Sequence, residues 1–289
     1  MSSKIWLVTG ANSGIGLALA TYLLAQGCKV VATARNVEKL PSELREAKAV
    51  ALDLSWSDER IKAAGVEAWD AYGHIDVVAN NAGQGLHGPV ELLRVADVVK
   101  LFHSNVFGQL SLIQALIPLM REHGSGTFFN FSSIAGIDGP VSFSAYNASK
   151  AAFESFTEAL AKEIAPFGLR AYIVEPGFFP TNWFTSTEGT EDPTVKQLYP
   201  QAVGATSRLV AQHVEEGQMG DVEQLAARLY EVSEKPLKEE WIRIPLGPDC
   251  GEGILAKVEL VRENVEGTRE IWSSTDLSPE QVKARYGTA

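Results

Sequence analysis

Cysteine is scarce in this chain. Two in 289 residues, Cys28 and Cys250, stand far apart with no metal-ligand spacing. They read as reduced thiols of a cytoplasmic protein, not as a disulfide framework. Positive charge is in deficit, with 25 Lys and Arg against 36 Asp and Glu for a net charge of −11. That argues against nucleic acid as a partner, although a local basic pocket is still allowed. No apolar run approaches the roughly 18 residues that a membrane span needs. The opening MSSKIWLVTG enters a strand at once, so no secretory leader is expected. The five histidines, at 74, 87, 103, 123 and 213, show no ligand spacing and are expected to be structural or surface residues. No internal repeat or low-complexity tract is present. Two glycosylation-like triplets, beginning at Asn130 and Asn147, fall within expected core elements.

Apolar residues make up 45% of the chain and charged residues 21%, enough for a sizeable core. The length fits one α/β domain, residues 1–289, with a lid and a tail. Ile5 to Thr9 is a short apolar run, a candidate buried parallel strand. It leads into Gly10-Ala-Asn12-Ser13-Gly14-Ile15-Gly16 and a helix with Leu19, Tyr22 and Leu23 on one face, ending at Gly27. Strand, glycine turn and helix together present free backbone N–H groups and a positive helix end to a diphosphate. The spacing is G-x-x-x-G-x-G rather than G-x-G-x-x-G, and a plain tight turn is the alternative.

Val30 to Ala34 is a second strand, followed by Arg35. NAD sites of this architecture place an acid here for the ribose 2′-hydroxyl. A guanidinium instead suits a 2′-phosphate and favours NADP; a solvent-facing charge is the other reading. Ala49 to Leu52 forms a third strand, ending at Asp53-Leu54, where Asp53 is a candidate acceptor for the adenine amine. A helix is expected from Asp58 to Tyr72. A fourth strand, Ile75 to Ala79, runs into Asn80-Asn81-Ala82-Gly83, small and amide residues that suit a ligand crevice.

One long helix is expected from Ala96 to Arg121, with Asn105 buried inside it and in need of partners. Thr127 to Phe131 is a fifth strand, leading into Ser132 and Ser133. Arg170 to Glu175 is a sixth, closed by Pro176-Gly177. This βαβ alternation predicts a Rossmann-type, doubly wound parallel sheet. Residues 178–240 break the rhythm. Phe178, Phe179, Trp183 and Phe184 line a candidate substrate lid or simply pack it down. The remainder, 241–289, reads as a final strand at Trp241 to Ile244, a helix from Asp249 to Trp272, and a polar tail from Ser273.

Tyr146 and Lys150 are four residues apart in a stretch whose apolar residues (Ala148, Ala151, Phe153, Phe156, Leu160, Ile164) recur at helical spacing. Both side chains therefore share one helix face. A free phenol titrates near about 10. A nearby ammonium favours the phenolate and lowers that value, which lets the phenol exchange a proton with a substrate oxygen. Alone, the pair better fits a surface Tyr and Lys on an amphipathic helix, and only the rest of the chain reverses that reading.

Taken together, Thr9-Gly10-x-x-x-Gly14-Ile15-Gly16, Asn80-Asn81-Ala82-Gly83, Asn105, Ser133, Tyr146-x-x-x-Lys150 and Pro176-Gly177 with Thr181 form a specific set. In order and spacing the chain resembles the short-chain dehydrogenases/reductases, over about residues 4 to 182. The resemblance implies a seven-stranded Rossmann-type sheet and a nicotinamide cofactor. It gives Tyr146 the role of proton donor or acceptor at the carbonyl or alcohol oxygen. Lys150 lowers the phenol pKa and holds the nicotinamide ribose. Ser133 holds the substrate oxygen, with Ser132 the less fitting occupant of that role. Asn105 positions a relay water and Thr181 binds the carboxamide. Members that prefer NADP carry a basic residue at the place of Arg35.

These readings combine into an NADP(H)-dependent oxidoreductase acting on a fairly apolar carbonyl or alcohol, in the reducing direction. The alternatives are a nucleotide-binding regulatory protein without turnover, or a non-redox member such as an epimerase, dehydratase or cyclase. The family often pairs through its two long helices, so a homo-oligomer is also expected.

Overall fold

A computed structural model describes residues 3–183, 187–189, 194–214 and 220–287. Its centre is a seven-stranded, all-parallel sheet. The strands are β1 (Ile5–Val8), β2 (Lys29–Ala34), β3 (Lys48–Ala51), β4 (Val77–Asn80), β5 (Gly126–Phe131), β6 (Leu169–Pro176) and β7 (Arg243–Leu246). Their order across the sheet is β3-β2-β1-β4-β5-β6-β7. The chain order reverses between β1 and β4, which opens a crevice at the strands' C-terminal ends.

Alternation along each strand divides the core into two layers. On β1, Trp6 and Val8 join Leu19, Leu23, Phe129, Tyr172 and Leu229 on one face. Ile5 and Leu7 join Ile61, Leu112, Leu116, Phe128 and Phe153 on the other. Helices α1 (Gly14–Ala25) and α8 (Val222–Glu234) cover the first face. Helices α2 (Asp58–Asp70), α4 (Gly108–His123) and α5 (Ser144–Ile164) cover the second.

The expected long helix after β4 is interrupted. It is α3 (Val95–Phe102), then a π-helical turn at His103–Phe107, then α4. A π turn has nearly the apolar spacing of an α-helix, so the sequence pattern does not separate them; such turns gather at functional sites. The last strand lies two residues later than expected, at Arg243–Leu246, and Trp241 is exposed. Of the stretch 178–240, the first part borders the crevice, while α8 belongs to the helical layer beneath the sheet. Between them lie α6 (Val195–Leu198) and α7 (Pro200–Val214). Phe184, named above with the lid aromatics, is outside the described residues, as is most of the polar loop that follows it.

The expected helix from Asp249 to Trp272 is α9 (Pro248–Gly267) followed by a separate turn, α10 (Arg269–Trp272). The tail from Ser273 contains α11 (Pro279–Tyr286), begun by a capping box at Ser278 and Gln281. Both cysteines are buried and free. No helix among the described residues is long and apolar enough to cross a membrane.

Candidate active site

A cleft of about 590 Å³ opens along the C-terminal ends of β1, β2, β4, β5 and β6, a volume typical of small-molecule and cofactor sites. At its base β1 turns at Gly10 (φ 66) and Gly14 (φ 56) into α1. Ser13 caps that helix without a side-chain hydrogen bond, so the first-turn amides are left facing the cleft. A Cβ at Gly16 would run into the carbonyl of Gly10 and lie 2.5 Å from Asn81 Nδ2. Gly16 is therefore needed for close packing behind the turn and does not line the cleft. The neighbouring loop is fastened to the same turn. Asn81 Nδ2 donates to Thr9 O at 2.9 Å, and Ala82 N donates to Thr9 Oγ1 at 2.9 Å.

Arg35 lies exposed on the cleft wall just after β2 and, among the described residues, makes no hydrogen bond or ion pair. Asp53 faces the same end of the cleft. One of its oxygens is already engaged, accepting from Ser55 N at 2.9 Å and Ser55 Oγ at 2.7 Å. Leu54 lies beside it, with its carbonyl against the His103 ring at 3.1 Å. On the opposite wall, Thr181 follows Pro176-Gly177. A Cβ at Gly14 would lie only 3.3 Å from Thr181 Cγ2, so the walls approach closely there.

Farther along, the first two turns of α5 carry Tyr146 and Lys150 into the cleft, both buried. Ser133 caps the short turn Ile134–Gly136 through Ala135 N at 3.2 Å, and its hydroxyl lies near enough to the Tyr146 phenol to lower the phenol's pKa. Lys150 Nζ donates to Phe131 O at 2.8 Å and stands 5.8 Å from the centre of the Tyr146 ring.

The electrostatics differ from the expectation for the phenol. Burial pushes Tyr146 up to about 12, with only the Ser133 hydrogen bond pulling the other way. The lysine stands beside the ring with its ammonium directed at a backbone carbonyl, so it does not hold a phenolate in this arrangement. Burial also lowers Lys150 to about 8, opposed by the negative charge of Glu154.

Asn105 sits in the π turn, behind the cleft wall. Its Nδ2 donates to Gln84 O at 2.9 Å and to Ser149 Oγ at 3.1 Å, while its Oδ1 accepts from Gln84 N at 2.9 Å. Both amide hydrogens are thus engaged with protein. Through these bonds the residue clamps the loop after Gly83. Gly83 lies between Asn105 and Lys150; a Cβ there would touch Asn105 Oδ1 and Lys150 Nζ at 3.5 Å, an ordinary contact distance.

The remaining expected residues, Gly10, Asn12, Ser13, Gly14, Ile15, Asn81, Ala82, Gly83, Ser133, Tyr146, Lys150, Pro176, Gly177 and Thr181, all border the cleft. Trp183 packs 4.9 Å from the Tyr146 ring and 6.0 Å from Phe143, which makes that end apolar. Two further residues had escaped notice. Glu154 accepts from Ser132 Oγ at 2.5 Å and from Arg243 at 2.8 Å. The Ser132 hydroxyl is thereby committed to Glu154. The available signal was the spacing Tyr146, Lys150, Glu154, one helical turn at each step.

Comparison with known proteins agrees with this arrangement. Residues 4–192 match the short chain dehydrogenase family. The chain belongs to that family. Among curated relatives, this short-chain dehydrogenase is 32% identical to oxidoreductase BOA17 of Botryotinia fuckeliana over 93% of its own length and 98% of the relative's. A solved short-chain dehydrogenase from Streptomyces avermitilis superposes with a TM-score of 0.84 at 37% identity, covering 95% of this chain and 99% of that one. A family member from Burkholderia phymatum, solved in complex with NAD, superposes at 0.71 with 26% identity, covering 91% of this chain and 94% of that one.

Proposed function

We propose that this short-chain dehydrogenase is an NADP(H)-dependent oxidoreductase that interconverts a carbonyl and an alcohol on a fairly apolar small molecule, working as a reductase. The carrying observation is the convergence of the Tyr146 phenol, the Ser133 hydroxyl and the Lys150 ammonium at one end of a cleft whose other end is a glycine turn with open helix amides.

The residues present fit a dinucleotide. The α1 amides and the Gly10–Gly16 turn suit its diphosphate. Arg35, exposed and uncommitted, suits a 2′-phosphate. Asp53 keeps one oxygen for the adenine end, and Thr181 faces the carboxamide end. When bound, the nicotinamide supplies or accepts the hydride. A solved relative carries NAD, so the preference for NADP rests on Arg35 and not on the fold.

The chain's own part is proton transfer. With its pKa at about 12, Tyr146 holds its proton at neutral pH and serves as the donor to a carbonyl oxygen. The phenol serves either direction; the choice of reduction rests on cells generally holding NADP in its reduced form. Ser133 directs a hydroxyl at the same oxygen. Lys150, lowered by burial to about 8, keeps a positive charge at this end of the cleft, held by the Phe131 carbonyl and not on the phenol oxygen. Trp183 and Phe143 exclude water and favour an apolar substrate face.

Titration with NADPH and with NADH, followed by fluorescence of the nicotinamide, tests this reading alongside Arg35→Asp. Tighter binding of NADPH, lost in the variant, is expected. A preference for NADH that the variant leaves untouched overturns the choice of cofactor. Failure to bind either favours a regulatory protein without turnover.

A further inference from the structure

Asp76 stands at the edge of the sheet away from the cleft. The strands are parallel and the cleft lies at their C-terminal ends, whereas Asp76 immediately precedes β4. Its backbone is fastened on both sides. Asp76 N donates to Ile5 O at 2.9 Å, and Thr127 N donates to Asp76 O at 2.9 Å. The carboxylate is aimed as well, since its Oδ2 accepts from Ile5 N at 2.7 Å.

Two histidines converge on this carboxylate. His74 follows Gly73, whose left-handed backbone (φ 83) turns the chain out of α2. His123 is the last residue of α4, which Gly124 closes in the same left-handed conformation. Nothing in the sequence spacing joins the two histidines; the fold does. Their rings lie 4.7 Å apart at 20°. Trp69 packs edge-on against the His123 ring at 6.0 Å. That packing holds the ring and leaves both its nitrogens without a hydrogen bond or ion pair among the described residues. His74 Nε2 lies 3.6 Å from Asp76 Oδ2. One nitrogen of each ring and one carboxylate oxygen all fall within 4.8 Å of one another.

These distances suit a metal ion. Zinc binds imidazole nitrogen at about 2.0–2.1 Å and carboxylate oxygen at about 2.0–2.2 Å, so ligand atoms around one tetrahedral ion lie about 3.4 Å apart. The His74–Asp76 pair is already near that spacing, and His123, exposed at its helix end, can close the rest by rotating its side chain. Two imidazoles with one carboxylate favour zinc and its first-row neighbours over magnesium or calcium, which take oxygen shells. The side chains of His74 and Asp76 are 34% and 25% exposed, which gives an ion access and leaves a position for water. The Ile5 amide on the carboxylate is the kind of outer hydrogen bond that fixes a ligand's orientation.

We propose that His74, Asp76 and His123 bind one divalent ion of the zinc type, as a clip between the end of α4 and the start of β4. The site stands apart from the cofactor and the reaction.

Calorimetric titration of the full, tag-free chain with Zn²⁺ tests it. Wild type is expected to take up one equivalent. Losing a group that only orients a ligand costs about 10–100-fold in metal affinity, so His74→Ala and His123→Ala are each expected to weaken binding by at least that much. Neither side chain borders the cleft, so both variants should keep wild-type nucleotide affinity, which also reports that they are folded. An ion that binds only the folded state raises the thermal midpoint; Zn²⁺ should do so in wild type and in neither variant. Co²⁺ in place of Zn²⁺ should give wild type the visible absorption of a four-coordinate site. Failure of wild type to bind one equivalent overturns the proposal without recourse to any variant. Binding that persists at wild-type affinity in either variant overturns it too, because the ion then sits elsewhere.

Discussion

Lys150 and Glu154 stand one turn apart on α5, and the carboxylate of Glu154 is held between Ser132 Oγ at 2.5 Å and Arg243 at 2.8 Å. Glu154 is buried, and its charge works against the burial that lowers Lys150. It also fixes the serine beside Ser133. A residue that touches neither substrate nor cofactor therefore acts on two groups of the site.

Glu154→Gln removes that charge and leaves the side chain's shape. The lysine is charged below about pH 8, and the reduction proposed for it needs the charged form. Wild-type kcat/KM is thus expected to fall as pH rises through about 8. In Glu154→Gln the fall should begin at lower pH, displaced by about one unit or less. A pH–rate profile measures the displacement. A limb that stays in place while activity drops uniformly would assign Glu154 a purely structural role.

Tyr146→Phe removes the proton donor and keeps the ring that packs on Trp183 at 4.9 Å. A positioned general acid contributes about 10²–10⁴-fold, so kcat is expected to fall by that order. Nucleotide affinity should hold within a few-fold, because the glycine turn and Arg35 are untouched. Stopped-flow turnover and nucleotide titration on the same sample separate the two effects. Loss of both together points to a disturbed fold.

The parts legible in the sequence were those fixed by local spacing. Gly10, Gly14 and Gly16 follow a strand within one turn, and Tyr146 and Lys150 share a helix face by their separation alone. The parallel, doubly wound sheet followed from alternating short apolar runs and helical patterns, and its seven strands from the family resemblance. What escaped depends on partners distant in the chain. Arg243 reaches Glu154, Glu158 and Glu175, and nothing near Arg243 marks it. The strand that carries it includes Pro245, which disfavours an interior strand and is tolerated because β7 is an edge. Burial shifted the phenol upward, whereas the spacing of Tyr146 and Lys150 alone had argued for a downward shift.

Asn105→Ala is expected to loosen the loop after Gly83. The substitution leaves Gln84 N and O without their partner and opens the link to Ser149. Leaving such groups unpaired costs about 1–3 kcal/mol, which thermal denaturation would detect. Amide exchange should quicken at Gln84 while the amides of β5 keep their protection. Unchanged exchange at Gln84 would show that the clamp does not hold that loop.

Glu175 supplies a test by pH and stability. It is fully buried on β6, with one oxygen accepting from Arg243 at 2.6 Å and the other without a partner. Burial, with the neighbouring charge of Glu154, raises its pKa from 4.5 to about 7. The folded state then binds more protons than the unfolded one between those values, so stability falls as pH rises from 4.5 to about 7 and is level above. A gap of that size corresponds to about 3 kcal/mol. Glu175→Gln mimics the protonated side chain and still offers an oxygen to Arg243. It should be nearly neutral at pH 4, become progressively more stabilising relative to wild type as pH rises, and reach its full effect by about pH 7. Denaturant melts at several pH values read this directly. A variant that is equally destabilised throughout would mean that Glu175 is needed as a charged partner of Arg243 and is not carried as a buried acid.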